Sequence, residues 1–370
     1  MSGIKSICFL TGGVDRHPIG GYKVIYEYAN RLVAKGWDVT ISYPMVQRGN
    51  TYPMLLLKHP TAVLALWQYY KSFRHGDESG GSWFPLDGRV KKIYPLQNSP
   101  SLARRFQSGT RFIATYFPTV FDLNRFAIPT TCKFNLIQDF EAWFGWTDED
   151  VYKTYRYPMT KIAISNWLAD KVSDAGSKAV VVPNGLDFTY FKMTNEIEDR
   201  KPMEIAMLWH VDDRKRTEDA VAALRIVQGR YPNLHVAAFG SQPKPSQLPV
   251  WITYYHRPDK ETHNRIYNNA AIFVASSEQE GWGLTPCEAM ICGAAVACTD
   301  IGGYRMFAND GETALMSRVR CPEDLADNIC RLIEDDKLRC RIASKAHENI
   351  KQFTWERSFA KFESALQTEG

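Results

Sequence analysis

Residues 278–293 read EQEGWGLTPCEAMICG. Two glutamates, Glu280 and Glu288, have seven residues between them, and Gly281 and Gly283 follow the first. The apolar run Ile272–Ala275 just before reads as a buried strand. Thr285-Pro286 reads as a helix start with proline at its first position, and Gly293 stands just past the helix end. The pattern is therefore strand, glycine turn, helix. Glycines let the backbone approach a ligand and expose its N–H groups, and the helix adds the positive end of its dipole, which together suit a diphosphate. Glu288, in the first helical turn, can accept hydrogen bonds from ribose hydroxyls beside that diphosphate, and Glu280 can reach an attached sugar. A second reading is a capping box, Thr285-x-x-Glu288, in which Glu288 bonds the Thr285 N–H. Those four residues alone favour the capping box; Glu280, Gly281 and Gly283 tip the balance to the ligand.

Outward from this stretch, strands and helices alternate in both directions. Strands are expected at Lys5–Leu10, Trp37–Tyr43, Arg111–Thr115, Lys133–Ile137, Lys161–Ile164 and Ala179–Val182. The polar, proline-closed run 194–202 (TNEIEDRKP) interrupts the pattern, which restarts at Met203–Leu208, Leu234–Gly240, Trp251–Tyr255, Ile272–Ala275 and Ala294–Cys298. Gly20-Gly21 opens a helix with Ile25, Tyr28, Ala29, Leu32 and Val33 on one face, and 217–228 repeats the pattern with Ala220, Val221, Leu224 and Val227. The closing segment Thr354–Leu366 spaces Trp355, Phe359, Phe362 and Leu366 as one face of an amphipathic helix. Alternation of this kind gives parallel sheets covered by helices. The expected architecture is α/β, with two Rossmann-like doubly wound domains facing a central cleft. Residues 1–185 form the first domain, 186–202 a linker, 203–352 the second domain and 353–370 a final helix. Residues 54–73, rich in leucine and aromatics, read as core, with a membrane-facing helix as the lesser alternative.

A chain of 370 residues suits two domains, and 45% hydrophobic with 23% charged residues excludes a disordered or fibrous class. No apolar run is long enough for a spanning helix, and MSGIKSICFL enters a strand directly, without the order of a signal peptide. Eight cysteines without a C-x-x-C pair read as reduced thiols of a cytoplasmic protein. Histidines show no H-x-x-x-H spacing, and Asp148-Glu149-Asp150, although D-x-D in form, reads as a solvated acidic run, so no metal is expected. The net charge of +4 is divided unevenly: residues 1–175 carry +7 and the rest −3. Arg89, Lys91, Lys92, Arg104, Arg105 and Arg111 share the acid-free stretch 89–111, a solvated basic face or, more sharply, a surface attracted to an anionic membrane or acceptor. No nucleic-acid-binding motif is present.

The long match Glu280-Gly281-Trp282-Gly283-Leu284 through Glu288-Ala289-Met290 to Gly293 resembles family 4 of the nucleotide-sugar glycosyltransferases, the retaining GT-B group. Tyr267–Ala271, Ser277, Asp300–Gly303, Asp310-Gly311, Val182–Asp187 and Phe353–Glu356 agree with that resemblance. It implies that the final helix crosses back to the first domain, that Gly20 and Gly21 face the phosphates, and that residues 280–284 and Glu288 hold the donor. The family usually places Gly-Arg and then Lys-Gly after the first strand of the second domain. Here Lys215 takes the lysine position, with His210 near the arginine position and Arg214 as its substitute. Where the family often offers a histidine, this chain reads Ile137-Gln138-Asp139-Phe140-Glu141, a form similar to bacterial rhamnosyltransferases of surface polysaccharide synthesis.

The activity implied is transfer of a hexose or deoxyhexose from a UDP-, GDP- or dTDP-sugar to a glycan or lipid-linked oligosaccharide, with retention and without cofactor or metal. Lys215 and the 281–284 backbone would stabilise the leaving diphosphate. Glu280 would hold sugar hydroxyls, and Gln138 with Asp139 would line the acceptor side. The expected setting is cytoplasmic bacterial polysaccharide synthesis, with peripheral contact at the inner membrane. A catalytically inactive GT-B scaffold subunit is the alternative. An NAD oxidoreductase lacks its G-x-G-x-x-G here, and a hydrolase would need its carboxylates on opposite sides of the bond.

Overall fold

The computed structural model describes residues 4–15, 18–45, 80–142 and 145–367. Residues 54–73, read above as core or membrane-facing, lie outside the described residues. The chain divides into two compact units, one of residues 1–184 with 358–370 and one of residues 185–357.

In the first unit the strands are β1 (Ser6–Leu10), β2 (Asp38–Ser42), β3 (Lys91–Ile93), β4 (Arg111–Ala114), β5 (Lys133–Ile137), β6 (Thr160–Ala163) and β7 (Ala179–Val181). They pair in the order β3-β2-β1-β4-β5-β6-β7, parallel throughout. Its helices are α1 (Gly20–Ala34), α2 (Pro100–Ala103), α3 (Phe117–Asn124), α4 (Asp148–Tyr155) and α5 (Asn166–Asp174). In the second unit β8 (Glu204–Leu208), β9 (His235–Gly240), β10 (Ile252–His256), β11 (Ile272–Ala275), β12 (Ala295–Thr299) and β13 (Leu315–Ser317) pair as β10-β9-β8-β11-β12-β13, also parallel. Its helices are α6 (Thr217–Arg230), α7 (Lys260–Asn269), α8 (Leu284–Ile291), α9 (Pro322–Glu334), α10 (Asp336–Ile350) and the start of α11 (Trp355–Gln367).

The central strands are mostly apolar because both of their faces are covered: β1, β5, β11 and β12 are buried at every residue, with Lys133 and Asn135 of β5 among the few polar members. Both sheets have the doubly wound order, in which the direction of strand addition reverses beside the first strand, between β1 and β4 and again between β8 and β11. In the second unit Val274 pairs with Met207, so the segments leaving the carboxyl ends of β8 and β11 emerge side by side. That is where ligands bind in open α/β sheets.

Two strands escaped the sequence reading. β3 is three residues long, edge-lying and carries Lys91 and Lys92, the composition that shields an edge from further pairing. β13 is equally short. Residues 186–202, expected to be a linker, fall within the second unit and pack on it, with Phe191, Ile197 and Arg200 buried. The last helix changes unit along its length. Beyond Arg357 it belongs with the first unit, where the Phe362 ring stacks on Tyr28 with centroids 4.0 Å apart and Arg111 Nε donates to Leu366 O at 2.8 Å. The basic stretch 89–111 is partly paired: Arg89 with Asp87 and Lys91 with Asp38, both at 2.8 Å, while Arg104 and Arg105 are exposed. All eight cysteines are free thiols.

Candidate functional site

Beyond β8 the chain turns through Asp213–Lys215 in a single tight 3₁₀ turn, and Arg216 takes a left-handed φ of 46° before α6 begins. This places Lys215 against the segment leaving β11. Its Nζ lies 2.7 Å from Glu280 Oε2, and Ser276 Oγ donates to Lys215 O (3.0 Å) and Arg216 O (2.8 Å), pinning the two segments together. Glu280 is thus held beside the switch point of the second sheet. Its side chain is 12% exposed and that of Lys215 25%. Burial pushes the Glu280 carboxyl up, but Lys215 and the donors on its oxygens outweigh burial, and its pKa lies below the ordinary carboxylate value.

Those donors are Ser277 Oγ at 2.6 Å and Tyr304 Oη at 2.9 Å, both on Oε1. Neither was singled out for this role from sequence. Ser277 is adjacent to the motif, but Tyr304 comes from the far side of β12, and only the parallel order of β11 and β12 brings it there.

The glycine turn differs in detail from the sequence expectation. α8 begins at Leu284, with Gly283 in the N-cap position at φ 106°, and no side chain caps it. The capping box Thr285-x-x-Glu288 is therefore not formed: Pro286 is the third helical residue and Glu288 the fifth. Glycine takes the cap because a Cβ there would lie 2.4 Å from the Tyr304 ring. Glu288 is buried and accepts a hydrogen bond from Tyr267 Oη at 3.0 Å. Trp282, expected at the donor, turns its ring into the core against Phe307 and, edge-on at 5.2 Å, Phe353; only its backbone is left for a ligand. Gly281 is buried within the same turn.

His210 and Arg214 are joined through Asp212. The Asp212 N–H donates to His210 Nδ1 at 3.0 Å, leaving the ring proton on Nε2, and Arg214 bonds the Asp212 carboxylate with Nε at 3.0 Å. Burial first, then the Lys215 charge, holds the His210 imidazole below its usual 6.5, so the ring is neutral at pH 7. A cavity of about 160 Å³ opens beside these residues, lined by Trp209, His210, Asp212, Arg216 and Gln247 among others.

The remaining predicted residues lie in the first unit. Gly20 and Gly21 open α1, whose N-terminus lacks a side-chain cap. A Cβ on Gly21 would stand 3.4 Å from the Gln138 amide, so these two are neighbours. Gln138 Nε2 donates to Thr115 O at 3.3 Å, and its buried Oε1 has no hydrogen-bond partner among the described residues. Asp139 Oδ1 accepts from the Phe140 N–H, and Glu141 caps α3 through the Phe117 N–H. Asp148-Glu149-Asp150 forms the first turn of α4, where Asp150 and Thr147 complete a capping box and Glu149 pairs with Arg156.

Residues 192–349 match the family model "Glycosyl transferases group 1". The phosphatidyl-myo-inositol mannosyltransferase of Mycolicibacterium smegmatis is 25% identical over 190 residues, 49% of each chain. The D-inositol 3-phosphate glycosyltransferase of Corynebacterium glutamicum is 31% identical over 99 residues, 27% of this chain and 24% of the relative. The chain spans about half the length of the first of these curated relatives. Among solved structures, the sucrose-phosphate synthase of Thermosynechococcus elongatus superposes with a TM-score of 0.73 at 15% identity, covering 97% of this chain and 98% of that one. Anabaena HepE in complex with UDP-glucose does so with 0.69 at 14%, covering 98% and 99%. Two doubly wound units, each with its switch point, thus have the GT-B fold, and residues 192–349 are similar to the glycosyl transferases group 1 family.

Proposed function

We propose that this protein is a retaining, metal-independent glycosyltransferase that moves a hexose or deoxyhexose from a nucleoside-diphosphate sugar to a glycan acceptor. One observation carries the reading: Lys215 and Glu280, a cation for a phosphate and an acceptor for sugar hydroxyls, meet at 2.7 Å at the switch point, on the loop that leads into α8. Two groups so placed address two adjoining parts of one ligand. In the reaction the bond from the sugar C1 to the diphosphate oxygen breaks, and its electron pair leaves with the diphosphate. Lys215 and the uncapped N–H groups of α8 stabilise that charge. The acceptor hydroxyl oxygen bonds C1 on the same face, and its proton passes to the departing phosphate. The protein's main contribution is to hold both reactants in place. Gln138, whose Oε1 has no hydrogen-bond partner among the described residues, and Asp139 serve the acceptor.

The acceptor we assign is a lipid-linked bacterial oligosaccharide met at the cytoplasmic membrane face, with dTDP-rhamnose first among donors. The Gln138–Glu141 segment and the exposed Arg104 and Arg105 support this assignment. UDP-glucose, bound in HepE, is the competing donor.

The test is calorimetric binding and thermal shift with UDP, GDP, dTDP, ADP and NAD in EDTA, on wild type and Glu288→Gln, which keeps an oxygen for Tyr267. At a hundredfold excess over Kd, a ligand stabilises the folded state by about 2.7 kcal/mol. One nucleoside diphosphate should do so without metal and lose affinity in the variant. Binding of none of them, or undiminished binding in Glu288→Gln, rejects the donor site and favours the scaffold.

A further inference from the structure

The two oxygens of Glu280 have different company. Oε1 accepts from Ser277 Oγ (2.6 Å) and Tyr304 Oη (2.9 Å), both neutral, while Oε2 faces Lys215 Nζ at 2.7 Å. Lys215 is the group that a diphosphate would draw away, so Oε2 is the oxygen whose partner changes when donor binds. Oε1 keeps its partners throughout.

Both partners are themselves fixed. The Ser277 carbonyl accepts from Thr299 Oγ1 at 2.5 Å. Tyr304 is 1% exposed, packs against Phe307 with centroids 5.8 Å apart, and donates its N–H to Ile301 O at 3.1 Å. Its ring fills the space in which a Cβ on Gly283 would sit. Beside it, a Cβ on Gly303 would fall 2.2 Å from Glu280 O, so the two loops touch backbone to backbone. One side chain therefore shapes the start of α8, on the phosphate side, and orients Glu280, on the sugar side.

Resting on the donor reading above, we infer that Tyr304, with Ser277, is a positioning residue: it anchors Glu280 Oε1 so that Oε2 is presented to a hydroxyl of the donor sugar once Lys215 turns to the diphosphate. A phenol suits the task because it holds the carboxylate without competing for the positive charge the diphosphate needs. Its loss should be felt by the sugar half of the donor and not by the nucleotide half.

The experiment compares wild type with Tyr304→Phe, which keeps the ring and its packing. Affinities for UDP and GDP are measured against those for UDP-glucose and GDP-mannose, and the Glu280 carboxyl is titrated by carbon-13 NMR, assigned with Glu280→Gln. The variant should bind the bare nucleotide as wild type does and the nucleotide sugar about tenfold more weakly, the scale of a hydrogen bond to a charged group. Glu280 should titrate at higher pH in the variant, since a donor to its charged form is gone. Ser277→Ala should act in the same direction. Equal effects on nucleotide and nucleotide sugar, no effect on either, or an unmoved Glu280 titration would each overturn the role of Tyr304. Should wild type bind no nucleotide at all, the donor reading fails and this use of Glu280 goes with it, whatever the titration shows.

Discussion

Gly283 is hemmed in twice over: its φ of 106° is one that side chains rarely adopt, and the Tyr304 ring occupies the position of a Cβ. Gly283→Ala should destabilise the fold by about 2 kcal/mol or more, because the strained φ and the collision act together. Urea denaturation measures it, and a variant as stable as wild type would show that the turn can relax. Proximity at this scale was legible wherever residue type and spacing carried it. Glu280 and Lys215 were read from their motifs, and the structure pairs them. Tyr304 was not, since it lies 24 residues from Glu280 and nothing local marks a buried phenol as a carboxylate donor. Trp282 was placed at the donor with the 281–284 backbone, and its ring packs on Phe307 and Phe353, where burial gains more than exposure would.

Among the elements, α7 and α8 share a lock that no motif announced. Arg200, from the stretch read as a linker, donates to the carbonyls of Tyr267 (3.3 Å), Ala270 (2.8 Å) and Asn195 (2.9 Å) and to that of Cys292. It closes the carboxyl ends of both helices, where orphan carbonyls and the negative dipole end favour a cation. Burial lowers its pKa to about 10, so it stays charged at pH 7. Arg200→Met should cost about 3 kcal/mol, by leaving buried carbonyls without donors, and lysine should recover only part of this because it lacks the planar fork. Chemical denaturation of both variants decides; full recovery by lysine would mean that charge alone matters. The stretch looked like a linker because 194–202 is polar and ends in proline, a composition that says nothing of one arginine meeting several carbonyls. Long apolar strands were legible from periodicity, whereas β3 and β13, at three residues each, leave too little pattern to read.

Over the whole molecule, the stability of the first unit depends on residues that follow the second. Phe362 is fully buried and stacked flat on Tyr28, with Phe9 beyond it at 6.4 Å. Phe362→Ala should destabilise the first unit by about 3–5 kcal/mol, the range for a large aromatic lost from a core. Hydrogen exchange should quicken in β1 and α1 while β8, β11 and β12 keep their protection; a loss of protection spread evenly over both sheets would contradict this division. The same feature sets an order on synthesis. Chains commonly fold from the N-terminal domain onward as they leave the ribosome. Here the unit that begins first cannot be finished first. Residues 185–357 form one uninterrupted stretch and can close as soon as they emerge, while the earlier sheet must wait, with Tyr28 and Phe9 uncovered, until the segment bearing Phe362 has been translated.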